Sequence, residues 1–274
     1  MFPHAKEALQ AAGATLVFAE AVPRPDRISA AIDTAIAKGA TRLVIGGGDG
    51  TISSSAKQIA DAGVEMSMLP LGTANSFART IEMPLDVEGA CRMAVTGDVH
   101  LVDLGRLGDY YFTNAAAIGL PAEIGRSVPD GLKRIFGRLA YLIWAIYKLL
   151  KFKGFTCTID DGTGIKSYEV VEVRIANGRY LGGLIAVPDA DPEDHRLTVQ
   201  LVRGVSGWQL AHAWAYMATG DAPQAGEVTE LIAKRFEIVT DPPQPVSIDG
   251  EVLAQTPTLV GLAPGVLKLV VPAA

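Results

Sequence analysis

Four glycines surround an aspartate and precede a threonine in Gly46–Thr51, which reads Gly-Gly-Gly-Asp-Gly-Thr. Glycine has no Cβ, so this backbone can turn sharply and come close to a bulky anion. The amides of such a turn, and of a helix that begins after Thr51, point outward as donors for phosphate. Asp49 would repel phosphate unless a cation or a hydroxyl proton lay between them. The segment therefore predicts a site for a nucleoside triphosphate with Mg²⁺.

The spacing of these glycines excludes two common nucleotide motifs. The chain has neither the G-x-x-x-x-G-K-[ST] loop nor the G-x-G-x-x-G dinucleotide pattern at this position. A plain turn between a strand and a helix is the alternative interpretation. Four glycines around one acid favour the phosphate site over that alternative.

A second strand-loop-helix junction follows at Pro70–Arg79, directly after the short apolar run Met66–Leu69. Thr73 and Asn75 are residue types that cap helix N-termini, and capping is one role that they could have. The other role is hydrogen bonding to phosphate or ribose from a loop that faces the first glycine corner. The sequence leaves both roles open.

The elements around the two corners alternate between helix and strand signals. Apolar spacing and glycine stops predict helices over residues 5–12, 26–39, 52–62 and 87–95, and strands over residues 15–19, 43–45 and 66–69. This is an α/β pattern, in which ligands bind at the carboxyl ends of the strands. We assign residues 1–106 to a Rossmann-like α/β domain, together with a returning C-terminal segment, residues 255–274.

Strand signals dominate from Val99 onward, and turn clusters separate several of them. We therefore assign residues 107–254 to a mostly β sandwich domain. The predicted strands of this part of the chain are residues 99–106, 110–116, 155–159, 170–177, 197–202, 236–240 and 246–248.

Composition narrows the class of protein. The chain has 274 residues, is 49% hydrophobic and carries a formal net charge of −6, which argues against a nucleic-acid partner. The two cysteines, Cys91 and Cys157, and the four histidines show no metal-ligand spacing. We find no signal peptide and no run long enough to span a bilayer, so a cytoplasmic location is expected.

Residues 132–155 combine basic ends with an apolar core that contains Trp144 and Tyr147. Such a segment is typical of a helix that lies on an anionic membrane surface. A helix packed on the β domain with solvated lysines is the alternative. We expect peripheral membrane contact through this segment.

Taken together and in order, the motifs resemble those of the diacylglycerol kinase catalytic-domain family. This family contains bacterial lipid kinases and is related to sphingosine kinases and, more distantly, to NAD kinases and phosphofructokinases. The motifs that carry the resemblance are Gly47–Thr51, Pro70–Asn75 with Phe77–Arg79, Val102–Gly105 with Phe112–Asn114, Ala176–Gly178 with Gly182–Gly183, and Ile248–Glu251.

The resemblance implies transfer of the ATP γ-phosphate to a diacylglycerol-like lipid hydroxyl at the membrane surface, by an enzyme that requires Mg²⁺ and could form a homodimer. It implies a catalytic pair in the Asp-Gly-Glu motif, with Asp249 as base and Glu251 beside it. An ordinary hairpin turn is the alternative for Asp249-Gly250. The residues that it assigns to the nucleotide are Gly47, Gly48, Asp49, Gly50, Thr51, Gly72, Thr73 and Asn75.

The resemblance also implies metal ligands. Asp49 and Asp103 belong to a catalytic metal network, and Asp191, Asp194 and the carbonyl of Arg196 correspond to a second, structural Mg²⁺ site. Four acids lie within six positions at Asp189–Asp194, which suits a hard cation. A solvated acidic loop is the alternative.

Four features depart from the family pattern. Ser53-Ser54 replaces the usual Asn-Glu, Ser76 replaces an acid, Asp194-His195 replaces Asp-Gly, and the opening strand with its Asn-Pro-x-Ser-Gly loop is not found. These departures keep a second hypothesis open, that of a non-catalytic regulatory homologue that binds nucleotide or lipid. An NAD kinase is a third.

Overall fold

The computed structural model describes residues 1–119, 149, 151–185, 187–219 and 226–273. Four of its helices match runs of the sequence that are predicted to be helical and to end at a glycine, namely Gly13, Gly39, Gly63 and Gly97. The helices are α1 (Phe2–Ala11), α2 (Ile28–Ala37), α3 (Asp49–Asp61), α4 (Ser76–Thr80), α5 (Val87–Thr96) and α6 (Gly207–Thr219).

The strands fall into an N-terminal group that alternates with helices and a later group in which most strands follow one another directly. They are β1 (Arg42–Gly47), β2 (Glu65–Pro70), β3 (Asp98–Leu107), β4 (Tyr110–Phe112), β5 (Ala115–Gly119), β6 (Phe155–Asp160), β7 (Ile165–Ala176), β8 (Tyr180–Leu181), β9 (Leu184–Ile185), β10 (Leu197–Arg203), β11 (Val228–Ala233), β12 (Arg235–Asp241), β13 (Pro245–Ile248), β14 (Glu251–Gln255) and β15 (Thr258–Val271).

Strand β15 joins the two groups. It runs parallel to β2, where Leu269 lies opposite Met66, and antiparallel to both β3 and β12. Strand β1 is parallel to β2 on the other side of that strand. The sheet order is β1-β2-β15-β12-β6-β7-β5-β13-β14, with β3 on β15, β4 on β3, β10 on β7 and β11 on β10.

The buried apolar residues form two main cores. The first lies among α1 to α5, β1 and β2, and it also takes Leu267, Leu269 and Val271 from β15. The second is built from the later strands and contains Phe155 and Phe236. An α/β N-terminal part and a mostly β second part confirm the predicted fold class, while the domain boundaries at residues 106 and 254 stay a prediction.

The predicted strand at residues 15–19 is wrong. This segment bends at Val17 and belongs to no ladder among the described residues. Strand β1 is at the end of the sheet order, paired only with β2 in the described part, and residues 15–19 do not pair with it. An extended segment needs a partner strand for its backbone hydrogen bonds, so a β-branched pattern alone does not make a strand.

Three other predicted boundaries also change. The strand predicted over residues 110–116 is two strands, β4 and β5, because Thr113 and Asn114 between them belong to neither. The second helix begins at Ile28 after a short 3₁₀ turn, Pro25–Arg27. Helix α3 begins at Asp49, three residues earlier than predicted, so the aspartate is part of the helix.

Most of the predicted interfacial helix at 132–155 lies outside the described residues. In the part of the chain that the structure covers, no helix combines the length and the apolarity that crossing a membrane requires.

Candidate active site

The two glycine corners meet in space. Strands β1 and β2 are parallel neighbours that end at Gly47 and Pro70, and the Leu71 amide donates to the Gly47 carbonyl oxygen at 2.9 Å. A Cβ built on Gly72 would lie 2.5 Å from the Gly48 Cα. Two backbones this close leave no room for a side chain, so the loops need glycine at this contact.

Asp49 ties the first corner to the helix of the second. Its Oδ1 accepts a hydrogen bond from the Phe77 amide, at the start of α4, at 3.0 Å. Asp49 is also the first residue of the thirteen-residue helix α3. The amides at this helix N-terminus favour an anion, as the sequence predicts for Gly48 to Thr51.

Asn75 has a different role from the helix cap that its residue type suggests. Its backbone is left-handed, and its side chain makes no capping hydrogen bond to α4. Instead, Oδ1 accepts from the Gly72 amide at 2.8 Å and Nδ2 donates to the Gly72 carbonyl oxygen at 3.0 Å. The capping role is therefore wrong, and Asn75 holds the loop closed, with Thr73 exposed at its tip.

Asp249 lies at the tip of the hairpin between β13 and β14. Asp249 and Gly250 both have positive φ, 42° and 95°, as a two-residue hairpin turn requires. The Asp249 carboxylate accepts from the Thr113 amide at 3.0 Å and from the Ala115 amide at 2.9 Å. The hairpin interpretation is thus right about the backbone, and the same turn fixes the carboxylate.

The environment of Asp249 makes it a weaker acid than usual. Burial raises the pKa of Asp249 to about 6 and the nearby charge of Asp49 also raises it, against the hydrogen bonds from Ala115, Ser53 and Thr113, which lower it. A carboxylate with a pKa near neutrality is suited to accept a proton from an alcohol. Two side chains of the α/β half, Asp49 and Ser53, therefore lie close to Asp249 of the β-rich half.

Ser53 and Thr113 are site residues that the sequence did not reveal. Ser53 is buried and follows Asp49 by one helical turn of α3, so both side chains are on one face of the helix. That spacing was a signal that could have found it. Thr113 lies in the motif Phe112–Asn114, but nothing in the sequence assigned its role, because its contact with Asp249 spans 136 positions of the chain.

The Ser53 hydroxyl donates to the Tyr111 carbonyl oxygen at 3.0 Å and also lowers the pKa of the nearby Asp249 carboxyl. Replacing Ser53 with alanine is therefore expected to raise the pKa of Asp249 further. If Asp249 is a base, activity is lost as the pH falls through its pKa, so the acid limb of the profile moves to higher pH. The measurement is kcat/KM across about pH 5 to 8.

Ser54→Ala is the matched control for this experiment, because Ser54 is exposed and bonds only the Thr51 carbonyl oxygen of its own helix. Its acid limb should coincide with that of the unmodified protein. A Ser53→Ala profile that also coincides would contradict the role of this hydroxyl.

Glu251 comes from the same hairpin and faces the N-terminus of α3. A Cβ built on Gly50 would lie 3.1 Å from Glu251 Oε1. The exposed carboxylate of Glu251 therefore approaches the glycine corner, as the predicted catalytic pair requires.

Asp103 is placed differently from the metal network predicted for it. Its buried carboxylate accepts from the Gly265 amide at 2.6 Å, from the His195 amide at 2.8 Å, and pairs with the His195 ring Nδ1 at 2.8 Å. Protein groups thus occupy both oxygens. Its backbone does approach the site, because Asn177 Nδ2 bridges the carbonyl oxygens of Asp103 and Thr113.

The carboxylates predicted as structural metal ligands are already hydrogen-bonded within their own acidic loop. Asp194 accepts from the Arg196 amide at 2.9 Å and pairs with the Arg196 guanidinium, and Asp191 accepts from the Glu193 amide at 2.9 Å. Among the described residues, no three His, Cys, Asp or Glu side chains are grouped to hold a metal ion. The second metal site therefore stays a prediction without support from this geometry.

Ser76, which stands where an acid is usual, joins the two halves. Its buried Oγ accepts a hydrogen bond from the Gly183 amide at 3.1 Å, in the turn between β8 and β9. Serine in place of the usual acid thus removes a negative charge from the site and adds a hydrogen bond between its two halves.

A glycine-rich corner on an α/β half, next to a buried carboxylate from a β-rich half, defines a class of proteins built from these two parts. Residues 1–107 match the family model described as the diacylglycerol kinase catalytic domain, and residues 114–271 match the YegS C-terminal NAD kinase beta sandwich-like domain. The second model spans more than half of the chain, so the chain belongs to the family that carries the YegS C-terminal NAD kinase beta sandwich-like domain.

Similar proteins agree with this assignment. Two relatives named probable lipid kinase YegS-like, from Shewanella frigidimarina and Yersinia pestis, are 31% and 33% identical over 65% and 62% of this chain. The alignment spans about 60% of the length of each relative. A solved diacylglycerol kinase structure from Bacillus anthracis has the same fold, with a TM-score of 0.74, 22% identity, and coverage of 96% of this chain and 88% of that one.

Proposed function

We propose that this protein is an ATP-dependent lipid kinase, which transfers the γ-phosphate of ATP to the hydroxyl of a diacylglycerol-like lipid. The observation that carries the proposal is the convergence of Asp49, the two glycine corners and Asp249 on one cleft. The family and the names of the relatives support the same chemistry.

The nucleotide phosphates fit the first corner. The amides of Gly48, Asp49 and Gly50 are at the N-terminus of α3, where the helix dipole favours negative charge. Gly72 brings the second loop against this corner, and Asn75 holds that loop in shape. These contacts align the triphosphate, which is most of what a protein contributes to phosphoryl transfer.

Asp49 and Glu251 are the carboxylates that would hold Mg²⁺ on the phosphates. Magnesium usually binds one or two carboxylates and takes its other ligands from substrate phosphates and water, which fits a cleft without a complete protein cage. When bound, the ion neutralises charge that develops on the transferred group.

Asp249 is the proposed base. Its pKa of about 6 leaves it ionised at neutral pH, and the amides of Thr113 and Ala115 fix both of its oxygens. It accepts the proton of the lipid hydroxyl as the oxygen attacks phosphorus. The lipid would be presented by the cytoplasmic membrane surface, with the basic and aromatic segment 132–155 as the proposed contact.

The proposal is tested with γ-labelled ATP and mixed micelles of dioleoylglycerol, phosphatidylglycerol or ceramide, followed by separation of the lipid products. Labelled lipid is expected with Mg²⁺ and none with excess EDTA. ATP binding without labelling of any lipid would instead favour the non-catalytic homologue, for which the neutral Ser76 is the specific observation. Labelling of NAD alone would favour an NAD kinase.

A further inference from the structure

The start of α6 presents two large apolar side chains to solvent. Trp208, in the first turn of the helix, is 74% exposed, and Val205, just before the helix, is 61% exposed. Tryptophan is highly buried on average in folded proteins, so an indole with this exposure is uncommon. Exposed apolar side chains that lie together can mark an interaction site, and these two define a candidate surface.

The fold holds this surface in place. Leu210 and Ala213 of α6 are buried against β7 and β10. Trp208 precedes Leu210 by two residues, or about 200° around the helix axis, so it lies on the opposite side of the helix from the buried contacts. Gln209 Oε1 accepts a hydrogen bond from the Val205 amide at 2.7 Å and fixes the turn before the helix. The apolar pair is therefore presented by a packed helix and a braced turn.

Basic residues lie beside the apolar pair. The Gly154 amide donates to the Val205 carbonyl oxygen at 2.9 Å, which holds the chain that follows Lys153 against this turn. Lys151 and Lys153 are exposed, and so is Arg203, two residues before Val205. The two lysines also belong to the basic segment 132–155, so the surface continues the membrane contact proposed for that segment.

The acidic side chains next to this turn already have partners. Glu169, whose carbonyl oxygen accepts from the Gly204 amide, accepts from the Thr156 hydroxyl at 2.7 Å. Glu227, whose carbonyl oxygen accepts from the amide of Arg203, lies 3.3 Å from the ring Nδ1 of His212. Among the described residues, the three cations of this surface thus outnumber the two nearby carboxylates, which favours an anionic partner.

Apolar and basic side chains on one exposed turn can contact either a membrane or a protein. Tryptophan and lysine together are typical of the membrane interface, where the indole lies at the level of the headgroups and the ammonium group stays in the polar layer. Protein interfaces are also enriched in aromatic residues but are depleted in lysine. The composition therefore favours an anionic bilayer over a protein partner.

We propose that Val205 and Trp208 insert into the headgroup region of an anionic membrane, with Lys151 and Lys153 against its lipid phosphates. The inference rests on the proposed kinase function and deepens it, because it names the surface that holds the enzyme on the membrane of its acceptor lipid. Helix α6 also contacts β9, and the Gly183 amide before β9 donates to Ser76. The same helix thus joins the membrane surface to the candidate active site.

The test is sedimentation of the protein with sucrose-loaded vesicles in the absence of ATP. Vesicles of phosphatidylcholine are compared with vesicles of phosphatidylcholine and phosphatidylglycerol. The unmodified protein should bind the mixed vesicles more tightly. Trp208→Ala should weaken this binding by about tenfold or more, because the indole no longer leaves water. Lys153→Gln should weaken it by about fivefold, the contribution of one lysine near an anionic leaflet, and only for the mixed vesicles.

Leu101→Ala is the matched control. Leu101 is 56% exposed on β3 and lies opposite Lys268 on β15, so it is also an exposed apolar side chain beside a lysine. This variant should bind vesicles as the unmodified protein does. Both substituted side chains are exposed, so both variants should fold, which circular dichroism checks. Equal binding by Trp208→Ala and the unmodified protein would overturn the proposal.

The outcomes also separate this surface from the kinase function. Dihexanoylglycerol is a soluble acceptor, so its phosphorylation needs no vesicle binding. Phosphorylation of this lipid by a protein that does not sediment with vesicles would overturn the membrane surface and leave the kinase function standing. Vesicle binding that depends on Trp208, without phosphorylation of any lipid, would support the surface and overturn the kinase function. A dimer that Trp208→Ala dissociates, without vesicle binding, would make the surface a contact between two copies and overturn the proposal.

Discussion

Asp249→Asn is expected to lower lipid phosphorylation by about 10²- to 10⁴-fold, the usual contribution of a general base. Asparagine tolerates the left-handed backbone that the hairpin imposes on this position, so the turn should be kept. The variant cannot accept the proton of the attacking hydroxyl, while the helix N-terminus that is proposed to hold phosphate is unchanged. ATP affinity, measured by calorimetry in the presence of Mg²⁺, should stay near the unmodified value.

Asp160→Asn is the matched control, because Asp160 also accepts a backbone amide, that of Gly162, in an exposed turn. It should leave phosphorylation unchanged. The assignment of the base fails if Asp249→Asn retains more than about a tenth of the activity, since that loss is below what a general base contributes.

Gly72→Ala is expected to weaken ATP binding by about tenfold or more. The added Cβ would meet the Gly48 Cα at 2.5 Å and Asn75 Oδ1 at 2.9 Å, so one of the two corners must move. Overpacking of this kind costs about 1 to 3 kcal/mol, and 1.4 kcal/mol is tenfold in affinity. The measurement is the Kd of Mg-ATP.

Gly261→Ala provides the control for this substitution. A Cβ on Gly261 meets no atom within 4 Å, and the residue is in the regular part of β15. The control should bind ATP as the unmodified protein does. Equal affinities for Gly72→Ala and the unmodified protein would show that the contact between the corners does not shape the nucleotide site.

The sequence predicted the parts of the site whose chemistry is local. Glycine spacing identified both corners, and the order of strands and helices placed them at the carboxyl ends of neighbouring parallel strands, where the structure brings Gly48 and Gly72 together. The family resemblance implied that Asp249 is a base, and the Asp-Gly pair left an ordinary hairpin turn as the alternative. The structure confirms the hairpin, and the base stays a prediction.

The sequence could not predict the parts that depend on long-range pairing. The β-branched run at residues 15–19 has strand propensity, but the sheet order gives it no partner among the described strands. Thr113 and Asn114 read as the middle of one strand, yet their contacts with Asp249 and Thr80 interrupt it. The buried carboxylate of Glu172 on β7 likewise accepts hydrogen bonds from Arg174 of the same strand and from Trp214 of α6, which is 42 positions away.

Strand β15 has a consequence for how the protein is made. Residues 267–271 fill the core of the N-terminal half and lie beside β2, but the ribosome synthesises them after the whole of the β-rich half. The N-terminal half must therefore wait, with an open edge on β2, until residues 267–271 have emerged. An isolated fragment of residues 1–107 would keep that edge exposed and should aggregate unless a peptide of the β15 sequence is supplied in trans.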